Sequence, residues 1–207
     1  MSVGKSAAAA GVALLWSNWA LPRLGLDLRG RTAANTAFAT GYAVTFGGEP
    51  HWFSARGLRY GLLSASLVTA GYAAALSIPP LRKLLAVEAR ETEVSNLEWA
   101  AVHIPLGTVY TEELIFRATL DPLLDNTFGP RPGTLLGALT FGLWHIHPAR
   151  SAGDNAPLAV LATALGSLPL GWLRRHTTST TAPSLLHLAI NTGGVLASHA
   201  AEQPHAL

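Results

Sequence analysis

The chain is dominated by long apolar blocks, and their length limits the folds open to it. They run from Ala7 to Leu21, Thr32 to Phe46, Gly57 to Ile78, Leu97 to Leu120, Pro132 to Trp144, Ala156 to Leu173 and Pro183 to Ala200. A helix needs about 20 mostly apolar residues to cross the hydrocarbon core of a bilayer. Several blocks reach that length and the others fall a little short. Backbone in lipid must satisfy its own hydrogen bonds, so a spanning chain is helical or a closed barrel. The blocks lack the alternation that marks barrel strands. The pattern predicts an all-α fold, a polytopic transmembrane helical bundle of about 6–8 helices, some short or re-entrant. The competing reading is a very apolar soluble helical bundle.

Composition narrows the function classes. Only 13% of the 207 residues are charged, against about 25% in a typical soluble domain, and the mean hydropathy is +0.30. A formal net charge of +2 excludes an acidic tail protein and a strongly basic nucleic-acid binder, and the apolar content excludes disorder. With no cysteine, disulfides, thiolate zinc sites and Cys nucleophiles are out. Arg outnumbers Lys twelve to two, and with abundant Ala and Gly this points to a bacterial source. The length suits one membrane-embedded domain over residues 1–207.

The connections between blocks are short and rich in Gly and Pro. The longest polar one, 81–96, carries Arg82, Lys83, Glu88, Arg90, Glu91 and Glu93 and predicts an amphipathic interfacial helix. At the N-terminus, Trp16, Asn18 and Trp19 interrupt what would be a plain apolar core, which favours a retained first helix over a cleaved signal peptide. Lys and Arg divide almost evenly between the two sets of loops, so the charge rule sets no orientation.

The informative residues are ionisable groups inside apolar blocks. Glu112, Glu113 and Arg117 fall within six residues, and unpaired at the centre of a spanning helix they would cost roughly 7–10 kcal/mol. Glu113 and Arg117 are four apart and share a helix face, as an ion pair requires. Glu112 lies about 100° away on a 3.6-residue helix. It has no local partner and is free for chemistry, unless all three groups sit solvated at a helix end. Phe141 and His145 share a face at the end of their block, and Pro148 ends that helix nearby. His187 and Asn191 share a face in the last block. They are either glue between helices or two donors converging on an oxyanion.

Taken together, Glu112-Glu113-x-x-x-Arg117, Phe141-x-x-x-His145 and His187-x-x-x-Asn191, each on its own apolar block, resemble the CPBP family of CAAX proteases and bacteriocin-processing (Abi-type) enzymes. The resemblance covers residues 97–200; residues 1–96 carry N-terminal helices without a motif. Ala118 stands where a Gly commonly follows the Arg, and Thr192 where many members have a polar amide.

The resemblance implies an intramembrane glutamic endopeptidase. Its catalytic residues would be Glu112 and His145, polarising a water, with His187 and Asn191 stabilising the oxyanion. Glu113, Arg117 and Phe141 would support them. It implies no cofactor and no metal. A zinc-dependent variant would use Glu112, His145 and His187 as ligands. The expected partners are a peptide or membrane-protein substrate and the lipid bilayer, with no nucleic acid. The expected location is a bacterial cell membrane, crossed several times. Two alternatives belong to another class, a non-catalytic immunity or scaffold protein and a proton-coupled transporter using Glu112.

Overall fold

A computed structural model describes residues 2–87 and 93–203. Among these residues the fold is helical throughout, with no strand. Helix α1 covers residues 3–23: Val3–Leu15, a wide π turn at Trp16–Ala20, and Leu21–Arg23. Then follow α2 (Leu28–Phe46), α3 (Ala55–Ser77) and the short α4 (Pro79–Val87). Helix α5 covers residues 96–128 and is composite. It begins at Asn96–Glu98, widens to i→i+5 hydrogen bonding over Trp99–Tyr110 and Glu113–Leu120, and closes as Asp121–Phe128. The remainder is α6 (Pro130–Trp144), the short α7 (Ile146–Ser151), α8 (Ala156–Thr177) and α9 (Thr181–Glu202).

Local chemistry explains the boundaries. Asp27, Ser54, Ser95 and Asn155 each cap a helix by accepting from a backbone N–H three residues on, at 2.8–3.2 Å. This satisfies donors that the first turn leaves without partners. Gly47, at φ 78°, ends α2 in the left-handed conformation that glycine adopts without strain. The carbonyls left open at the end of α9 are taken up by Arg82 of α4, which donates to Ala200, Ala201 and Gln203 at 2.7–3.3 Å. The predicted amphipathic segment is therefore helical up to Val87, while Glu88, Arg90 and Glu91 lie outside the described residues.

The loops sort to two ends. At one, Glu93 accepts from the Leu28 N–H at 2.9 Å and Arg29 clasps Glu98 through two bonds of 2.7 and 2.9 Å. At the other, Ser6 meets Thr127 at 2.9 Å, and the 49–52 backbone is gripped by Arg174, Ser179, Thr180 and Thr181.

Among the described residues two helices are long and apolar enough to cross a membrane, α3 with 23 residues and α8 with 22. Both present bare leucines outward, Leu58, Leu62, Leu63 and Leu67 on α3 and Leu158, Leu161 and Leu165 on α8, an exposure that suits lipid rather than water. Close packing is confined to the inner faces. A Cβ on Gly61 of α3 would stand 2.7 Å from Leu185 and 3.0 Å from the Cα of Ala182 on α9. The core surrounds α5, where Ile115, Phe116 and Leu120 are fully enclosed beside Phe141 and Trp144. Phe116 meets both rings edge to face, at 4.9 and 5.6 Å.

Candidate active site

The wide segments of α5 set the geometry of the site. Their hydroxyls reach five residues back, Thr111 to the Leu106 carbonyl at 3.0 Å and Thr119 to Leu114 at 2.8 Å. Pro105 has no N–H to give. In this register it would have served the carbonyl of Ala100, which instead accepts from Thr192 of α9 at 3.4 Å. Such π segments occur often at functional sites. The 3.6-residue wheel used on the sequence therefore does not apply locally, yet its main inference stands. Glu113 faces Arg117, with Nε and Oε2 3.6 Å apart, and both side chains are fully buried. Arg117 also donates to Asp121 at 3.4 Å, and its guanidinium lies 4.8 Å above the Phe141 ring. Phe141 thus supports the site as a π surface under a buried cation.

Glu112 is 6% exposed. It does have a partner, one the sequence reading missed. The indole of Trp144 donates to its Oε1 at 3.2 Å. The signal was the position of Trp144 beside His145, but the bend that brings the indole round is a tertiary feature. His145 Nε2 faces the same oxygen at 3.7 Å. His187 Nε2 faces the other oxygen, Oε2, at 3.8 Å. That oxygen is buried and has no hydrogen-bond partner among the described residues.

Each imidazole is held by its other nitrogen. His145 Nδ1 donates to the Phe141 carbonyl at 2.8 Å. A carbonyl only accepts, so Nδ1 carries a proton, and Nε2 is the nitrogen turned to Glu112. His187 Nδ1 donates to Glu113 Oε1 at 2.8 Å, a contact the sequence reading did not foresee. Glu113 therefore serves two masters, Arg117 and His187. Asn191 lies one turn beyond His187 on α9, half-buried and with no side-chain hydrogen bond among the described residues. The structure thus joins Glu112, Glu113, Arg117, Phe141, His145 and His187 through direct contacts, and puts Asn191 next along the same helix.

His145 ends α6 with φ −89° and ψ 5°, in the sparsely populated bridge region where many active-site residues sit. Its side chain is 21% exposed against 8% for His187, so the site opens on the His145 side. Among the described residues no group of three or more His, Asp or Glu side chains is arranged to hold a metal ion.

Residues 94–193 match the family model described as type II CAAX prenyl endopeptidase Rce1-like. Over these residues, just under half of the chain, it is similar to that family. The match implies a CAAX-type intramembrane peptidase, a hydrolase of peptide bonds with a peptide substrate and a membrane setting. None of the curated proteins and none of the solved structures compared with it matches. Within this CAAX endopeptidase-like protein the matched segment runs from the start of α5 into α9 and includes every residue of the three motifs. Helices α1 to α4 precede it.

Proposed function

We propose that this peptidase hydrolyses its substrate with a water activated by Glu112 and His145, and that His187 and Asn191 stabilise the oxyanion. The observation that carries this reading is the approach of His145 Nε2 and His187 Nε2 to the two oxygens of one buried carboxylate, at 3.7 and 3.8 Å. Two histidines aimed at the same glutamate from separate helices exceed what packing requires. A carboxylate and a neutral imidazole, both presenting lone pairs, suit a water that donates to each. Glu112 would take a proton as the water oxygen bonds to the scissile carbonyl carbon. The oxyanion would then be met by Nε2–H of His187, acting as imidazolium with its Nδ1–H on Glu113, and by the Asn191 amide. Glu112 would pass the proton to the leaving nitrogen as the C–N bond breaks. General acid–base catalysis of this kind contributes about 10²–10⁴-fold, and one oxyanion donor about 2.7–4 kcal/mol.

We read the chemistry as metal-free, because the Trp144 indole engages Glu112 Oε1. We also read the protein as multi-pass in a bacterial cell membrane, a reading supported by the outward leucines of α3 and α8.

The test is proteolysis in proteoliposomes. The probes are an internally quenched farnesylated CAAX peptide and a quenched peptide library carrying acyl anchors. Cleavage that disappears in Glu112→Gln and in His145→Ala supports the assignment. Cleavage that persists in both, with folded protein, overturns it.

A further inference from the structure

The matched segment leaves α1 without a role, yet α1 reaches the most sensitive joint of the site. Between α6 and α7 the chain turns at His145, and a helix end there leaves backbone groups in need of partners. Two adjacent residues in the π turn of α1 supply them. Ser17, 4% exposed, donates to the Trp144 carbonyl at 2.7 Å. Asn18 donates from its amide to the Leu143 carbonyl at 3.0 Å and accepts from the His147 N–H at 2.8 Å. It also donates to Leu14 at 3.1 Å in its own helix. One amide therefore ties the last turn of α6 to the first of α7, bridging the residue between them. That residue is His145, and its neighbour Trp144 bonds the same Glu112 oxygen that His145 faces.

We propose that Asn18, with Ser17 beside it, is a positioning residue of the peptidase site. It fixes the α6–α7 turn so that Trp144 and His145 converge on Glu112 Oε1. The inference rests on the reading of Glu112 and His145 given above. The amide does this because its donor nitrogen and acceptor oxygen are separate atoms that reach the two ends of the turn; an apolar side chain offers neither. Neither residue bonds to Glu112, His145, His187 or Asn191, so the effect is expected on turnover rather than on binding.

The decisive variants are Asn18→Leu, which removes donor and acceptor at similar size, and Asn18→Asp, which keeps the acceptor for His147. The control is Trp16→Phe. Trp16 lies in the same turn and donates to Asn35 at 2.8 Å, a cross-helix bond that leads to α2 and not to His145. Full-length protein is assayed in proteoliposomes with whichever quenched peptide it cleaves, and thermal unfolding is recorded in detergent. A misplaced group commonly costs about 10²-fold in rate. Asn18→Leu is expected to lower kcat by that order with KM within about twofold. Asn18→Asp should fall between it and the parent, and Ser17→Ala should lose less. Trp16→Phe should lower the unfolding temperature while kcat holds.

The inference is overturned if folded Asn18→Leu keeps kcat within twofold, or if Trp16→Phe loses as much as Asn18→Leu. Should Asn18→Leu fail to fold, Asn18→Asp and Ser17→Ala carry the same test, and parental kcat in both overturns it. If Glu112→Gln and His145→Ala remain active, the assignment of the site itself is wrong. If they are dead and the Asn18 variants are not, only the positioning role is wrong.

Discussion

His187 stands between two glutamates, its Nδ1 2.8 Å from Glu113 Oε1 and its Nε2 3.8 Å from Glu112 Oε2. The contact with Glu113 fixes the ring, and the contact with Glu112 leaves a gap wider than a hydrogen bond. One carboxylate thus anchors the ring, and in the proposed mechanism the other is the working group. This division between neighbouring residues rests on the wide turn of α5 as much as on the choice of side chains.

Loss of the working carboxylate should abolish turnover without unfolding the protein. Glu112→Gln keeps an oxygen for the Trp144 indole and cannot accept a proton from water. We expect a fall in kcat of about 10²–10⁴-fold with an unchanged unfolding temperature, measured by peptide cleavage and calorimetry.

The anchor behaves differently. Arg117 and Glu113 are fully buried, so removing Arg117 leaves Glu113 with His187 alone and takes the guanidinium from Asp121. Arg117→Met should cost about 3–5 kcal/mol. The double variant Arg117→Met, Glu113→Leu should be more stable than Arg117→Met alone. Denaturant titration in detergent gives both numbers, and a double variant less stable than Arg117→Met would contradict the pairing.

Packing behind Phe141 is equally exacting. A Cβ on Gly142 would lie 2.6 Å from the Val160 carbonyl oxygen of α8, and backbone cannot yield as a side-chain tip does. Gly142→Ala should destabilise by about 1–3 kcal/mol and lower kcat as well, since α6 carries His145. Thermal unfolding together with a cleavage assay tests both effects.

A strong chelator such as 1,10-phenanthroline should leave activity intact. A loss that added zinc restores would assign Glu112, His145 and His187 to a metal and overturn the metal-free mechanism.

One pH effect follows from the polar end of the bundle. Hydrogen bonds from Arg31 and from the Leu28 N–H hold the Glu93 carboxyl below the usual glutamate range. A carboxylate whose pKa is lowered by folding stabilises the fold above its unfolded pKa. That contribution disappears as pH falls through the lowered value. Unfolding temperatures of Glu93→Gln should therefore fall less between neutral and strongly acid pH than those of the parent. The pair is exposed, so the difference is small and shrinks with salt.

Much of this was legible in the chain. Apolar length announced the helices, and burial cost singled out Glu112, Glu113 and Arg117. Spacing by four paired Phe141 with His145, whose rings lie 4.8 Å apart. What could not be read depends on contacts 32 and 74 positions apart along the chain. No periodicity predicts that Trp144 turns its indole to Glu112, or that His187 settles on Glu113. The widening of α5 was hidden too, because propensity does not distinguish an i→i+4 from an i→i+5 ladder. Asn18 was visible as a polar residue out of place, but its purpose lies 129 positions away, at the His147 N–H.

The hydrogen bonds from Ser17 and Asn18 also bear on how such an enzyme can be shortened. A trimmed version cut to residues 94–193 would inherit every reactive group and lose the bracket that aims one of them. Engineers seeking a minimal scaffold would do better to carry the opening helix along as a separate peptide than to discard it.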